Sequence, residues 1–213
     1  MNVPGTLRSR RPVFLAYNSA EMNSLDLFLR EHASVHTQAV APADPFNMDY
    51  LLEGLTEGQI RKRPHGINSL AWIFWHISRV EDGLVSCIVL GRDQLFDQDN
   101  WANDLGVLTK DVSTAKDGVD ELSNGINLDI LLKYRDAVGR RTRDGVRDLW
   151  PTRWDAPIEV ADVRRAIEAG VCGAEFESFL PGKPRESALY WWGLNHTLMH
   201  LGQVSMIRNL LTP

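Results

Sequence analysis

Glu186–Leu211 reads ESALYWWGLNHTLMHLGQVSMIRNLL, and the reading of this stretch decides the fold. It is a helix-favouring, mostly apolar run in which His196 and His200 stand four residues apart. Four residues advance an α-helix by roughly 400°, so the two imidazoles lie one turn apart on nearly the same face. That face can grip a metal, but a catalytic ion usually takes three protein ligands and keeps a position open. A third ligand must come from elsewhere. The helix is apolar round much of its circumference, with Trp191, Leu194, Leu198 and Leu201 beside the histidines. Such a helix is central in its own domain or shared with a second subunit, and a homodimer is the expected assembly.

Working outward, the next long apolar run is NSLAWIFWHISRVEDGLVSCIVLG, with Asn68 or Ser69 as its cap and Gly91 as its stop. Trp72, Ile73, His76, Val80, Gly83 and Cys87 share one stripe, and Arg79, Glu81 and Asp82 are expected on a wetter side. His76 alone reads as a hydrogen-bonded core histidine. With His196 and His200 on an equally apolar helix the balance changes, because buried imidazoles need partners and one metal would satisfy three nitrogens together. Cys87 is eleven residues beyond His76 and too far along the helix to join it.

A competing pair, His32 and His36, lies in a more polar segment beside Glu31, Ser34, Thr37 and Gln38. One of these rings is expected to face solvent, and a second metal site or a substrate-facing wall is the less favoured reading. His65, in RKRPHG, reads as a surface residue.

The remaining segments complete an all-α pattern. A first helix begins at Ser24, its preferred cap, and carries Leu25, Phe28, Leu29, His32, Val35 and His36 before Pro42 and Pro45 interrupt it. TEGQIRKRPHG is a short helical turn followed by a loop. A third long helix starts at Asn127 and runs through Leu131, Tyr134, Val138, Thr142 and Leu149. The arginines at 135, 140, 141, 143 and 147 are expected on its solvated face. Two long connections, 92–125 and 151–182, hold short helices near Val119–Leu122 and Val160–Ala169, and connections of this length often lie over functional sites. The fold class expected is a four-helix bundle with long crossover connections and short extra helices. Residues 1–20 are expected to form an N-terminal arm, and 21–213 one domain.

Composition narrows the function. A net charge of −5 supplies no basic field, so nucleic acid is not an expected partner. No run of about 20 apolar residues is present, so no membrane span is expected. Two separated cysteines, Cys87 and Cys172, suit a reduced, cytoplasmic protein. HExxH, ExxH with partner glutamates, phosphate-binding glycine loops and GxSxG are all absent, which disfavours zincin proteases, ferritin-like di-iron sites, nucleotide binding and serine hydrolysis.

The segment from Asn68 to Asp82, followed much later by NHTLMHLGQ at Asn195–Gln203, resembles the DinB-like, or YfiT-like, family of metal-dependent proteins. GLTEGQIRKRPHGINS, LLKYRDAV and HLGQVSMIRNLL carry the same likeness, which spans most of residues 22–211. It implies a bundle of four main helices in which His76, His196 and His200 bind one divalent metal with a position left open. It also implies relatives that are transferases or isomerases using a low-molecular-weight thiol such as mycothiol or bacillithiol. The long 92–125 and 151–182 connections depart from shorter relatives and would reshape a pocket entrance.

The expected function is therefore that of a metal-binding protein, a thiol S-transferase or isomerase acting on small electrophiles. Zinc or nickel is the expected ion and a thiol the expected cosubstrate. A metal-dependent hydrolase, or a non-enzymatic stress-related binding or dimerisation protein with a structural histidine cluster, are the alternatives. No catalytic acid–base residue is assigned, although Glu81, Asp82 and Gln203 stand near the motifs.

Overall fold

The computed structural model describes residues 22–42, 48–107, 109, 112 and 118–212. The arm expected at 1–20 lies outside them. Among the described residues the chain is helical, with one isolated bridge between Pro157 and Pro184 and no strand. In chain order the α-helices are α1 (Ser24–Ser34), α2 (Glu57–Arg61), α3 (Leu70–Val80), α4 (Trp101–Leu105), α5 (Val119–Gly125), α6 (Leu128–Leu149), α7 (Val160–Glu168), α8 (Arg185–Tyr190) and α9 (His196–Leu211). Two of them run on through π-helical segments. α3 continues as Glu81–Leu90, and Trp191–Asn195 joins α8 to α9. The four long arms of the bundle are thus α1, α3 with its extension, α6, and the continuous α8–α9 helix.

Local chemistry sets the ends of these elements. Ser69 accepts a hydrogen bond from the Trp72 amide at 3.0 Å, and Gly91 terminates the α3 extension in the left-handed region at φ 66°. Asn127 caps α6 through the Ile130 amide, and Thr56 with Gln59 forms a capping box on α2. Asn23, rather than Ser24, caps α1, which ends at Ser34 and so leaves His36 in the turn that follows. The buried Arg185 donates to the Ile88 and Val89 carbonyls at 2.8 Å and pairs with Asp162. A cation thereby meets the exposed dipole at the end of the α3 extension.

The α3 helix is the centre of the molecule, packed by α6 and α9, while its extension meets α6, α7 and α8. Leu70 through Trp75 are all buried, so the wetter side expected for this helix does not exist. Arg79, Glu81 and Asp82 are buried too, and each is paired. Arg79 donates to Tyr134 Oη at 3.0 Å and to Gln94 Oε1 at 2.7 Å, with its guanidinium 3.9 Å above the Phe96 ring. Asp82 accepts from Tyr134 Oη at 2.6 Å and from the Leu95 and Phe96 amides at 2.7 and 2.8 Å. This network pins the start of the 92–125 connection to the central helix, and its hydrogen bonds are what make the buried charges tolerable. Arg135 is likewise buried, donating to the Val35 carbonyl, so the arginine face of α6 is only partly solvated.

Candidate metal centre

α3 and α9 pack against each other and bring His76, His196 and His200 together. One ligand atom of each lies within 4.8 Å of the others, and His76 Nε2 is 3.2 Å from His196 Nε2. Two nitrogens sharing a tetrahedral ion at about 2.1 Å would stand roughly 3.4 Å apart, so the observed separation suits a common ligand. The rings are mutually inclined at 60°, 77° and 64°, with centroids 4.6–5.0 Å apart. Inclined rings of this kind can aim their lone pairs at one point.

Two of the three far nitrogens support the same arrangement, while His196 Nδ1 is buried without a hydrogen-bond partner. His76 Nδ1–H donates to the Val112 carbonyl, and His200 Nδ1–H donates to Gln203 Oε1 at 2.8 Å. In this tautomer both Nε2 atoms keep a lone pair for an ion, the usual condition of a ligating histidine. Trp72 stacks on His76 at 4.7 Å and 12°, fixing the ring plane. Burial, then the neighbouring His76 and His200, pushes His196 down to about 3, and burial also lowers His200. Neutral imidazoles are the form a metal requires. Val112 belongs to the long 92–125 connection, which therefore does reach the histidines.

The competing pair behaves differently. His32 and His36 are both fully buried, against the expectation that one would face solvent. They stack at 4.3 Å and 28°, and each donates from Nε2 to a separate oxygen of Glu81, at 2.9 and 3.0 Å. Their ligand atoms also lie within 4.8 Å of one another. Stacked rings, however, project their nitrogens side by side onto two oxygens rather than onto a single ion. Arg135 adds a positive field felt by both His36 and Glu81, which opposes a dication. We read this trio as a hydrogen-bonded clamp between α1, its following turn and the start of the α3 extension. The absence of a Cβ at Gly139 makes room for it, since a methyl there would stand 2.6 Å from His36 Nδ1. Glu81 was visible in sequence beside His76, but its partners lie more than forty residues away.

Cys87 is fully buried and Cys172 partly so, and both are free. His65 is exposed. Among the described residues no helix is long and apolar enough to cross a membrane.

Fold and site together define an all-α bundle protein with a three-histidine cluster between its second and last long helices. The sequence profile of the DinB superfamily matches residues 45–204, and the chain belongs to that superfamily. No curated protein matches the chain.

Proposed function

We propose that the protein is a metal-dependent enzyme that transfers or isomerises small electrophiles with a low-molecular-weight thiol as cosubstrate. The observation that supports this reading is the convergence of three inclined imidazoles, two of them tethered through Nδ1, at a site that is only partly buried. His76, His196 and His200 would hold the ion, and zinc or nickel suits three imidazole donors. Such an ion, when bound, would supply the Lewis acidity that keeps a thiol ionised at neutral pH.

The chain's own residues do the positioning. Val112 and Gln203 hold the proton of His76 and His200 at Nδ1, and Trp72 covers one face of His76 against water. His196 and His200 are partly exposed, which leaves a side open to a small molecule. We further propose a homodimer through the uncharged exposed face of α9, where Leu198, Met199, Met206 and Leu210 are each about half accessible.

Elemental analysis of untagged protein, beside the His196→Ala/His200→Ala double variant, tests the centre. About one equivalent of a transition metal that disappears in the variant is expected, together with thiol-dependent consumption of a generic aryl halide. Stoichiometric metal retained by the double variant would overturn the assignment. Metal binding without any thiol turnover would move the reading to a hydrolase or a binding protein.

A further inference from the structure

Away from the histidines, the loop after α7 and the beginning of α8 enclose a cavity of about 270 Å³. Phe176, Phe179, Trp191 and Trp192 supply its aromatic walls, and its polar side chains are Lys183 and Ser187. Phe179 is 48% and Trp191 50% exposed. Two large aromatics left half bare around a concavity cost hydration free energy that a ligand would recover. Phe176 and Trp192 lie nearly parallel, their planes 22° apart, which offers flat π surface rather than a rounded aliphatic socket.

Charge then selects among apolar ligands. Lys183 makes no ion pair among the described residues, whereas two of its charged neighbours are engaged. Arg185 is buried on Asp162, and Glu177 is bonded to Arg164 at 2.7 Å. The rim therefore carries one uncommitted cation and a hydroxyl donor, which favour an anion and repel an amine. The volume falls just below the roughly 300–1,000 Å³ of pockets that hold drug-sized ligands, so the ligand is small.

We propose that this cavity binds a small aromatic carboxylic acid, its ring among Phe176, Phe179, Trp191 and Trp192 and its carboxylate on Lys183 and Ser187. The site goes beyond the metal centre and does not depend on it. Trp192 is four residues before His196, so the two sites follow one another along one helix without sharing a residue.

Titration calorimetry with 4-phenylbutyrate, 4-phenylbutan-1-ol and 4-phenylbutylamine decides the matter. It is run on chelator-treated wild type and on His200→Ala, so that failure of the metal reading leaves this result untouched. Saturable binding of the carboxylate is expected, about fivefold tighter than the alcohol, which is the scale of an exposed ion pair. Lys183→Gln, at an exposed position, should abolish that preference, and Ala188→Leu should weaken both ligands by filling the floor. Equal affinity for carboxylate and alcohol, or no saturable binding, would overturn the proposal. So would a dimer in sedimentation that dissociates in Phe179→Glu, because the cavity would then be covered by a second copy.

Discussion

His76 and His196, 120 residues apart in the chain, face each other through Nε2 at 3.2 Å. The contact exists because the face of α3 that carries His76 packs on the start of α9, and the mutual inclination of the rings separates this cluster from the His32–His36 stack. Similar residue types thus make two different objects. One is a convergent, partly open donor set, and the other is a closed hydrogen-bonded clamp.

The tether on His200 should tune metal affinity. Gln203 is exposed, and its amide oxygen accepts from His200 Nδ1. Gln203→Leu is therefore expected to weaken metal binding by about 10–100-fold, the usual effect of losing a ligand's supporting hydrogen bond, while leaving the fold intact. Competition against a chelating indicator measures it, and an unchanged affinity would remove Gln203 from the site.

The clamp predicts a non-additive pair. In Gly139→Ala the new methyl meets the His36 ring at 2.6 and 2.7 Å and Val40 at 3.0 Å, neither of which retreats easily. Overpacking of this kind costs about 1–3 kcal/mol. In a His36→Ala background most of that cost should vanish, because the ring is gone. Urea unfolding of the four proteins in the cycle gives the coupling, and additive costs would show that His36 is not what Gly139 accommodates.

Acid should weaken the fold in a defined window. Burial, opposed by Glu81 and reinforced by His32 and Arg135, pushes His36 down to about 3 from its ordinary 6.5. The unfolded chain therefore takes up a proton below about 6.5 that the native protein refuses until about 3. Stability is present in full above that window and is lost as the pH falls through it. Burial alone would raise Glu81, but His36 and His32 hold it well below the usual carboxylate range. Its contribution also disappears on acidification. The melting temperature should be level between about pH 8 and 7 and fall progressively below about 6.5. His36→Gln should flatten the upper part of that fall, and an identical profile in the variant would place the sensitivity elsewhere.

Neither cysteine should react readily in the native state. Burial pushes the Cys87 thiol up to about 12, with Asp82 adding to the effect, and raises Cys172 to about 11. Iodoacetamide at pH 8 is expected to leave Cys87 unmodified for hours and to label it promptly after unfolding, since only the thiolate attacks. Mass spectrometry of the digested protein reads this, and rapid native labelling of Cys87 would contradict its burial.

Much of the scaffold was legible locally. Ser69 and Gly91 bound the central helix as their residue types require, α6 opens at Asn127, and α7 falls within Val160–Ala169. The His196–His200 spacing placed two imidazoles on one face of the last helix, and apolar periodicity placed His76 on another. The polar residues of α3 misled, because charge usually signals solvent. Arg79, Glu81 and Asp82 are instead buried against Tyr134, His32 and His36, partners supplied by α6, α1 and the turn after it. The two π-helical segments had no recognised cue either, yet one of them ends immediately before His196.

By itself the sequence determined most of the helices, several of their caps and the apolar helical faces that carry His76, His196 and His200, because capping chemistry and helical periodicity act within a few residues along the chain. Only the tertiary structure decided which polar groups meet. It set the Val112 carbonyl on His76, closed His32 and His36 on Glu81, and gathered four aromatic rings around Lys183. Those distances depend on how whole helices pack face to face, and no local pattern encodes them.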